Sequence, residues 1–230
     1  VSIRDVLTKA VRLGNRLRPI DVYDIITHTS DAVLAGGIRR SALICIFSHD
    51  DKEMMSAKTG SWYIDNPQRG RSNNSALLLR ESTSSAQFKK LFDSAKEFGE
   101  PGFIWADSTE TLFNPCVEAC LYGYNSAGES GFQFCNLCEI NMKGTTEQEF
   151  YEICKAAAIL GTFQASYTDF GYLGKVTQEI VEYEALLGIS MTGMMDNPNI
   201  AFDPKILQNG VAIIKKTNTS LALELGINPS

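Results

Sequence analysis

The chain has 230 residues, 44% of them hydrophobic and 21% charged, a balance that supports a buried core and excludes a disordered, highly charged segment. A formal net charge of −6 argues against a nucleic-acid polymer as partner, because polymer binders present a basic face to the phosphates; a nucleotide pocket needs only a few placed cations and is not excluded. No apolar run approaches the roughly 18 residues that suggest a membrane span, no signal peptide opens the chain, and six cysteines in a chain this large do not suggest a secreted disulfide scaffold, so a reducing cytoplasm is expected.

Helical and strand patterns alternate along the chain. Ser2 and Asp5 have capping-box spacing and open a helix with Ile3, Val6, Leu7, Ala10 and Val11 on one face. A second helix is predicted over residues 21–34, with Val22, Ile25, Ile26 and Val33, and Gly36-Gly37 stop it. The apolar run 42–47 predicts a buried strand, and 75–79 a second. Phe88, Leu91, Phe92, Ala95 and Phe98 then recur at helical spacing up to Gly99, followed by a strand at 102–105. Beyond a loop region rich in Cys, Gly and Asn, Thr146 and Glu149 form another capping box, opening a helix with Phe150, Ile153, Cys154, Ala157 and Ala158. A strand-like segment at 188–191 and a helix with Val211, Ile214, Leu221 and Leu225 complete the order. Strands alternating with covering helices predict an α/β fold with a mainly parallel sheet or barrel. No repeat or linker interrupts it, so residues 1–230 are expected to form a single piece. The chain starts at Val1, inside a helical pattern, and stops just after another, so both ends are expected to be truncations of a larger protein.

The cysteine-rich stretch runs Asn114-Pro115-Cys116-Val117-Glu118-Ala119-Cys120 and later Phe134-Cys135-Asn136-Leu137-Cys138-Glu139-Ile140-Asn141. Three readings compete. The first is a loop with buried thiols, since free Cys is among the most buried residue types; Cys45 and Cys154, each on the apolar face of a regular element, belong to it. The second is a zinc-stapled, non-catalytic binding module, using Cys116-x3-Cys120 and Cys135-x2-Cys138. The first spacing is helix-like, however, and a chain this long needs no staple. The third is redox and radical chemistry. If the segment is extended, positions i and i+2 share a side, and Asn114, Cys116 and Glu118 bring an amide, a thiol and a carboxylate to one space.

Asn114-Pro115-Cys116-Val117-Glu118 resembles the finger-loop motif of ribonucleotide reductase large subunits, and Cys135-Asn136-Leu137 resembles the segment carrying one member of that family's redox-active cysteine pair. Gly36-Gly37-Ile38-Arg39-Arg40-Ser41-Ala42 is similar to the loop that links the specificity effector to the substrate base. Met54-Met55-Ser56-Ala57-Lys58, Asn66-Pro67-Gln68-Arg69, Asn73-Asn74-Ser75 and Gly188-Ile189-Ser190-Met191-Thr192-Gly193 also resemble the family, and look closest to its adenosylcobalamin-dependent, ribonucleoside-triphosphate branch. The resemblance implies part of a ten-stranded α/β barrel with a central finger loop. It implies reduction of ribonucleotides to 2′-deoxyribonucleotides, with Cys116 as the thiyl radical, Glu118 as general base, Asn114 orienting the ribose hydroxyls and Cys135 as a reductant. It further implies adenosylcobalamin as cofactor, a deoxynucleotide effector and a thioredoxin-like dithiol, with Gly36, Gly37, Arg39 and Arg40 contacting nucleotide. No metal site is assigned. The rival within the family is a reductase fed by a separate metal radical subunit; Glu118 argues against the glycyl-radical branch. The partner of Cys135 is expected upstream of the Gly36-Gly37 loop, where no cysteine stands. Cys120 and Cys138 have no family role. Arg39 and Arg40 without the resemblance read as a solvated pair, His28 and His49 as structural, and Trp62 and Trp105 as packing residues.

Overall fold

In a computed structural model of the chain, described for residues 2–12, 14, 16–33, 42–134 and 136–230, local capping chemistry starts most of the helices. Ser2 donates from both its backbone and its hydroxyl to Asp5 at 2.9 Å, opening α1 (Ile3–Arg12). Helix α2 (Pro19–Asp31) has Pro in its first turn, and Arg18 grips Asp21 through backbone and guanidinium. It ends three residues before the predicted limit, where the Ala32 N–H turns back onto Thr29 and Ser30. Strand β1 (Leu43–Ser48) leads to α3 (Lys52–Met55), capped by Asp51, then α4 (Trp62–Asp65) and a 3₁₀ turn, Pro67–Arg71. Strand β2 (Ser72–Leu79) is followed by α5 (Ser85–Phe98), which a Ser84–Gln87 capping box opens and left-handed Gly99 closes. Then come β3 (Gly102–Ala106) and the two-residue strands β4 (Leu112–Phe113) and β5 (Cys120–Leu121), which form a short ladder.

The chain divides into two compact units, Val1–Cys120 and Leu121–Ser230. In the first, the sheet order is β1-β2-β3, all parallel, with Ile46 opposite Ser75 and Leu77 opposite Ile104. Side chains alternate across a strand, so Ala76 and Leu78 of β2 share one face. They pack with Ile20, Tyr23, Phe47, Met54, Ala57 and Leu91. Leu78 and Leu91 are fully buried, each contributing about 1.5–3 kcal/mol of transfer free energy. Polar groups tie the helices to this core. Asp24 of α2 takes Arg69 Nε and Nη2, each at 2.7 Å, and Gln68 at 3.1 Å, while Arg69 Nη1 donates to the Ala57 carbonyl at 2.7 Å. Buried Lys58 donates to the Ser72 carbonyl and to Glu100, and lies over the Trp62 ring. The segments around Lys58 and Arg69, singled out for their resemblance, are therefore structural ties here.

The second unit comprises β6 (Asn136–Asn141), α6 (Glu147–Ala165), α7 (Lys175–Glu184), β7 (Leu187–Thr192), α8 (Pro198–Ala201) and α9 (Pro204–Leu225). Thr146 and Glu149 cap α6 as their spacing predicts. Strands β6 and β7 pair in parallel, with Cys138 opposite Ile189. Ile140, Met142, Phe150, Cys154, Ala157 and Ala201 form its core. Helices α6 and α9 are joined by a buried bond from Asn218 to Thr162 at 3.0 Å.

The expected part of a closed ten-stranded barrel is not what forms. Among the described residues the strands fall into three separate sheets of three, two and two strands. A barrel closes only when every strand is paired on both sides with a consistent stagger. Here each sheet keeps two open edges, and the two longer ones belong to different units. Parallel pairing across a helical connection is a local event and needs no closure. No helix among the described residues is long and apolar enough to cross a membrane.

Candidate functional site

Residues 114–119 fold as a tied turn, not as an extended segment. The Val117 N–H donates to the Asn114 carbonyl at 2.9 Å, and the Asn114 N–H to the Ala119 carbonyl at 3.3 Å. The Asn114 side chain completes the closure, its Oδ1 accepting the Ala119 N–H at 3.0 Å. Val117 is left-handed at φ 65°, which costs a β-branched residue on the order of 1–3 kcal/mol. Strain of that size persists only where neighbouring bonds over-determine it, as these three do. The extended backbone assumed for Asn114, Cys116 and Glu118 is thereby corrected: the three residues stand on one tied turn.

Cys116 and Glu118 are exposed at this turn and Asn114 is half-buried. Oδ1 of Asn114 accepts this one bond, and its Nδ2 donors have no partner among the described residues, so they are open to a ligand. Beneath the turn, Asn73 of β2 donates from Nδ2 to the Pro115 carbonyl at 2.9 Å. Sequence reasoning noticed Asn73 only as part of a resemblance. The available signal was an amide pair, Asn73-Asn74, just before the apolar run 76–79.

The other thiols differ in surroundings. Cys120 is exposed. Cys138 lies on β6, its Sγ 3.7 Å from Gln164 Oε1, and burial pushes its pKa up. Cys45 and Cys154 pack against the two cores, as expected, and desolvation pushes each thiol up to about 11. Cys135, Gly36, Gly37, Arg39 and Arg40 lie outside the described residues. Among the described residues, no three His, Cys, Asp or Glu side chains come together as metal ligands.

A thiol and a carboxylate exposed on one tied turn can exchange a hydrogen atom and a proton with a single small substrate. Comparisons with known proteins bear on which chemistry that is. No protein-family model matches the chain. Curated relatives do match, under the name adenosylcobalamin-dependent ribonucleoside-triphosphate reductase. The protein of Lactobacillus delbrueckii subsp. bulgaricus is 26% identical over 205 residues, covering 85% of this chain and 27% of the relative. That of Lactobacillus acidophilus is 25% identical over 205 residues, with coverage of 85% and 27%. That of Lacticaseibacillus paracasei is 27% identical over 198 residues, with coverage of 80% and 25%. The chain thus spans about a quarter of the length of these relatives.

Proposed function

Because the chain is a distant homologue of the adenosylcobalamin-dependent ribonucleoside-triphosphate reductases, we propose that it carries the radical cysteine of a ribonucleotide reductase, Cys116. The observation that carries this reading is the tied turn, which exposes the Cys116 thiol and the Glu118 carboxylate together. Adenosylcobalamin, when bound, supplies the initiating radical chemistry, and the exposed Cys116 thiol fits as the group that meets it.

Cys116 gives up its S–H hydrogen atom, and its thiyl sulfur takes the 3′ hydrogen of the ribonucleotide. Glu118 accepts the 3′-hydroxyl proton as general base. Asn114, its Oδ1 committed to Ala119, directs its Nδ2 donors to the ribose hydroxyls. The 2′-hydroxyl leaves as water with a proton from the reducing side. Cys135 and a second cysteine deliver the two reducing electrons and end as a disulfide, which a thioredoxin-like dithiol resets. Cys116 returns the abstracted hydrogen atom to the 3′ carbon radical of the product and is left as the thiyl with which the cycle began. Gly36, Gly37, Arg39 and Arg40 contact the substrate or a deoxynucleotide effector, where an arginine makes charge-assisted bonds.

The test is a pair of variants in the complete protein, assayed with adenosylcobalamin and a dithiol. Cys116→Ser should form no deoxynucleotide and consume no substrate. Cys135→Ser should still consume substrate or cofactor, yet release no normal product through repeated turnovers. Sustained deoxynucleotide formation by Cys116→Ser, or identical inertness of both variants, would count against these roles. Activity that needs an added metal-containing subunit and no cobalamin would overturn the cofactor assignment.

A further inference from the structure

We infer that Asn73 is a positioning residue for Cys116, acting through the Pro115 carbonyl; this rests on the radical-cysteine reading of that turn. Two of the bonds that shape residues 114–119 run between their backbone groups, and a third comes from the Asn114 side chain. Those bonds set the turn's form and leave its placement free. Among the described residues, one hydrogen bond reaches the turn from the sheet: Asn73 Nδ2 to Pro115 O, 2.9 Å, between residues 42 apart in sequence.

The acceptor it uses matters. A peptide unit is planar, so holding the Pro115 oxygen also holds the Cys116 nitrogen and limits where the Cys116 Cα can lie. Pro115 has a ring-fixed φ, which removes one of the soft torsions on the other side. The donor in turn stands on a stiff base. Asn73 belongs to β2, the middle strand of the three-stranded sheet, and is in register with Ile44 of β1. By alternation its side chain is on the face opposite Ala76 and Leu78, which are committed to the core. It is exposed, so burial does not explain its amide. A hydrogen-atom transfer requires the sulfur and the substrate C–H to meet in a narrow geometry, and groups carried on rigid strands hold such geometry better than groups on loops. Asn73 lends strand rigidity to a thiol that sits on a loop.

The experiment compares Asn73→Ala and Asn73→Asp with the unaltered complete protein. Asn73→Asp keeps the shape but removes the N–H donor and sets a carboxylate against the Pro115 carbonyl. Hydrogen–deuterium exchange read by mass spectrometry reports on residues 114–119 whether or not the enzyme turns over. We expect faster exchange there in both variants, unchanged exchange in β1 to β3 and unchanged Tm. We also expect kcat to fall about 10- to 100-fold with KM within about twofold, the signature of misplaced reacting atoms. Unchanged exchange at 114–119 would overturn the inference, as would faster exchange there with normal kcat, or loosening spread through the whole sheet. Failure of the radical reading would show separately, as product formation by Cys116→Ser.

Discussion

Cys154 and Cys116 are the same residue type in opposite settings. Cys154 is fully buried against Phe150 and the α9 backbone, and desolvation pushes its thiol up to about 11 from 9.0. The unfolded chain therefore releases this proton first. Below pH 9 the thiol is protonated in both states and its contribution to stability is complete; between about 9 and 11 the folded state holds more protons, so stability falls as pH rises. For one thiol this amounts to roughly 2–3 kcal/mol across the window. Urea unfolding of the unaltered protein and of Cys154→Ala from pH 8 to 11 checks it. The stability lost on substitution should shrink by about that amount as pH rises through the window, and a difference that stays flat would refute the linkage. The core-packed settings of Cys154, buried, and Cys45, half-buried, were legible in the sequence because each lies on the apolar side of a regular element. The Cys116 turn was not, because its form depends on a side chain closing onto backbone five residues away and on a valine in a region valine rarely visits.

At the level of elements, Gly210 shows where packing overrides propensity. Alanine in a helix interior is intrinsically better than glycine by about 1 kcal/mol. A Cβ at Gly210 of α9, however, would stand 2.7 Å from a Phe150 ring carbon and 3.2 Å from Cys154 Sγ. Both neighbours are buried and cannot simply swing away, and forced overpacking costs about 1–3 kcal/mol. Gly210→Ala should therefore lower stability by about 1–2 kcal/mol net, measured by urea unfolding; an increase would mean that α6 and α9 do not approach this closely.

The elements with local signals were readable. Capping boxes marked α1 and α6, apolar periodicity marked α5 and Gly99 its end, and the apolar runs marked β1, β2, β3 and β7 to within a few residues. Strand β6 was missed because Cys135 and Cys138 in the sequence drew this stretch into a loop reading, although Asn136 to Asn141 alternates in burial as a strand should. Helices α3, α4 and α8 span four residues each, too few for a periodic pattern to register.

On the scale of the whole chain, sheet closure was the expectation that failed. Periodicity reports which residues face a core, and alternation of strands and helices reports parallel pairing, but whether the last strand of a sheet meets the first is decided by contacts between residues far apart in sequence. Three open sheets in two units are compatible with the same local patterns. The functional reading is less exposed to that difference, because it rests on one turn and on homology spread over 80–85% of the chain. Its central claim is that Cys116 is the hydrogen-atom carrier between cofactor and substrate. A thiol exchanges its proton with water rapidly, so a carrier thiol makes the cofactor's reactive carbon exchange hydrogen with solvent. An alcohol O–H bond is too strong for the same traffic. The most direct measurement is therefore incorporation of solvent tritium into adenosylcobalamin by the complete protein and by its Cys116→Ser variant, with nucleotide present. The account predicts incorporation by the first and none by the second; incorporation that survives Cys116→Ser would contradict it.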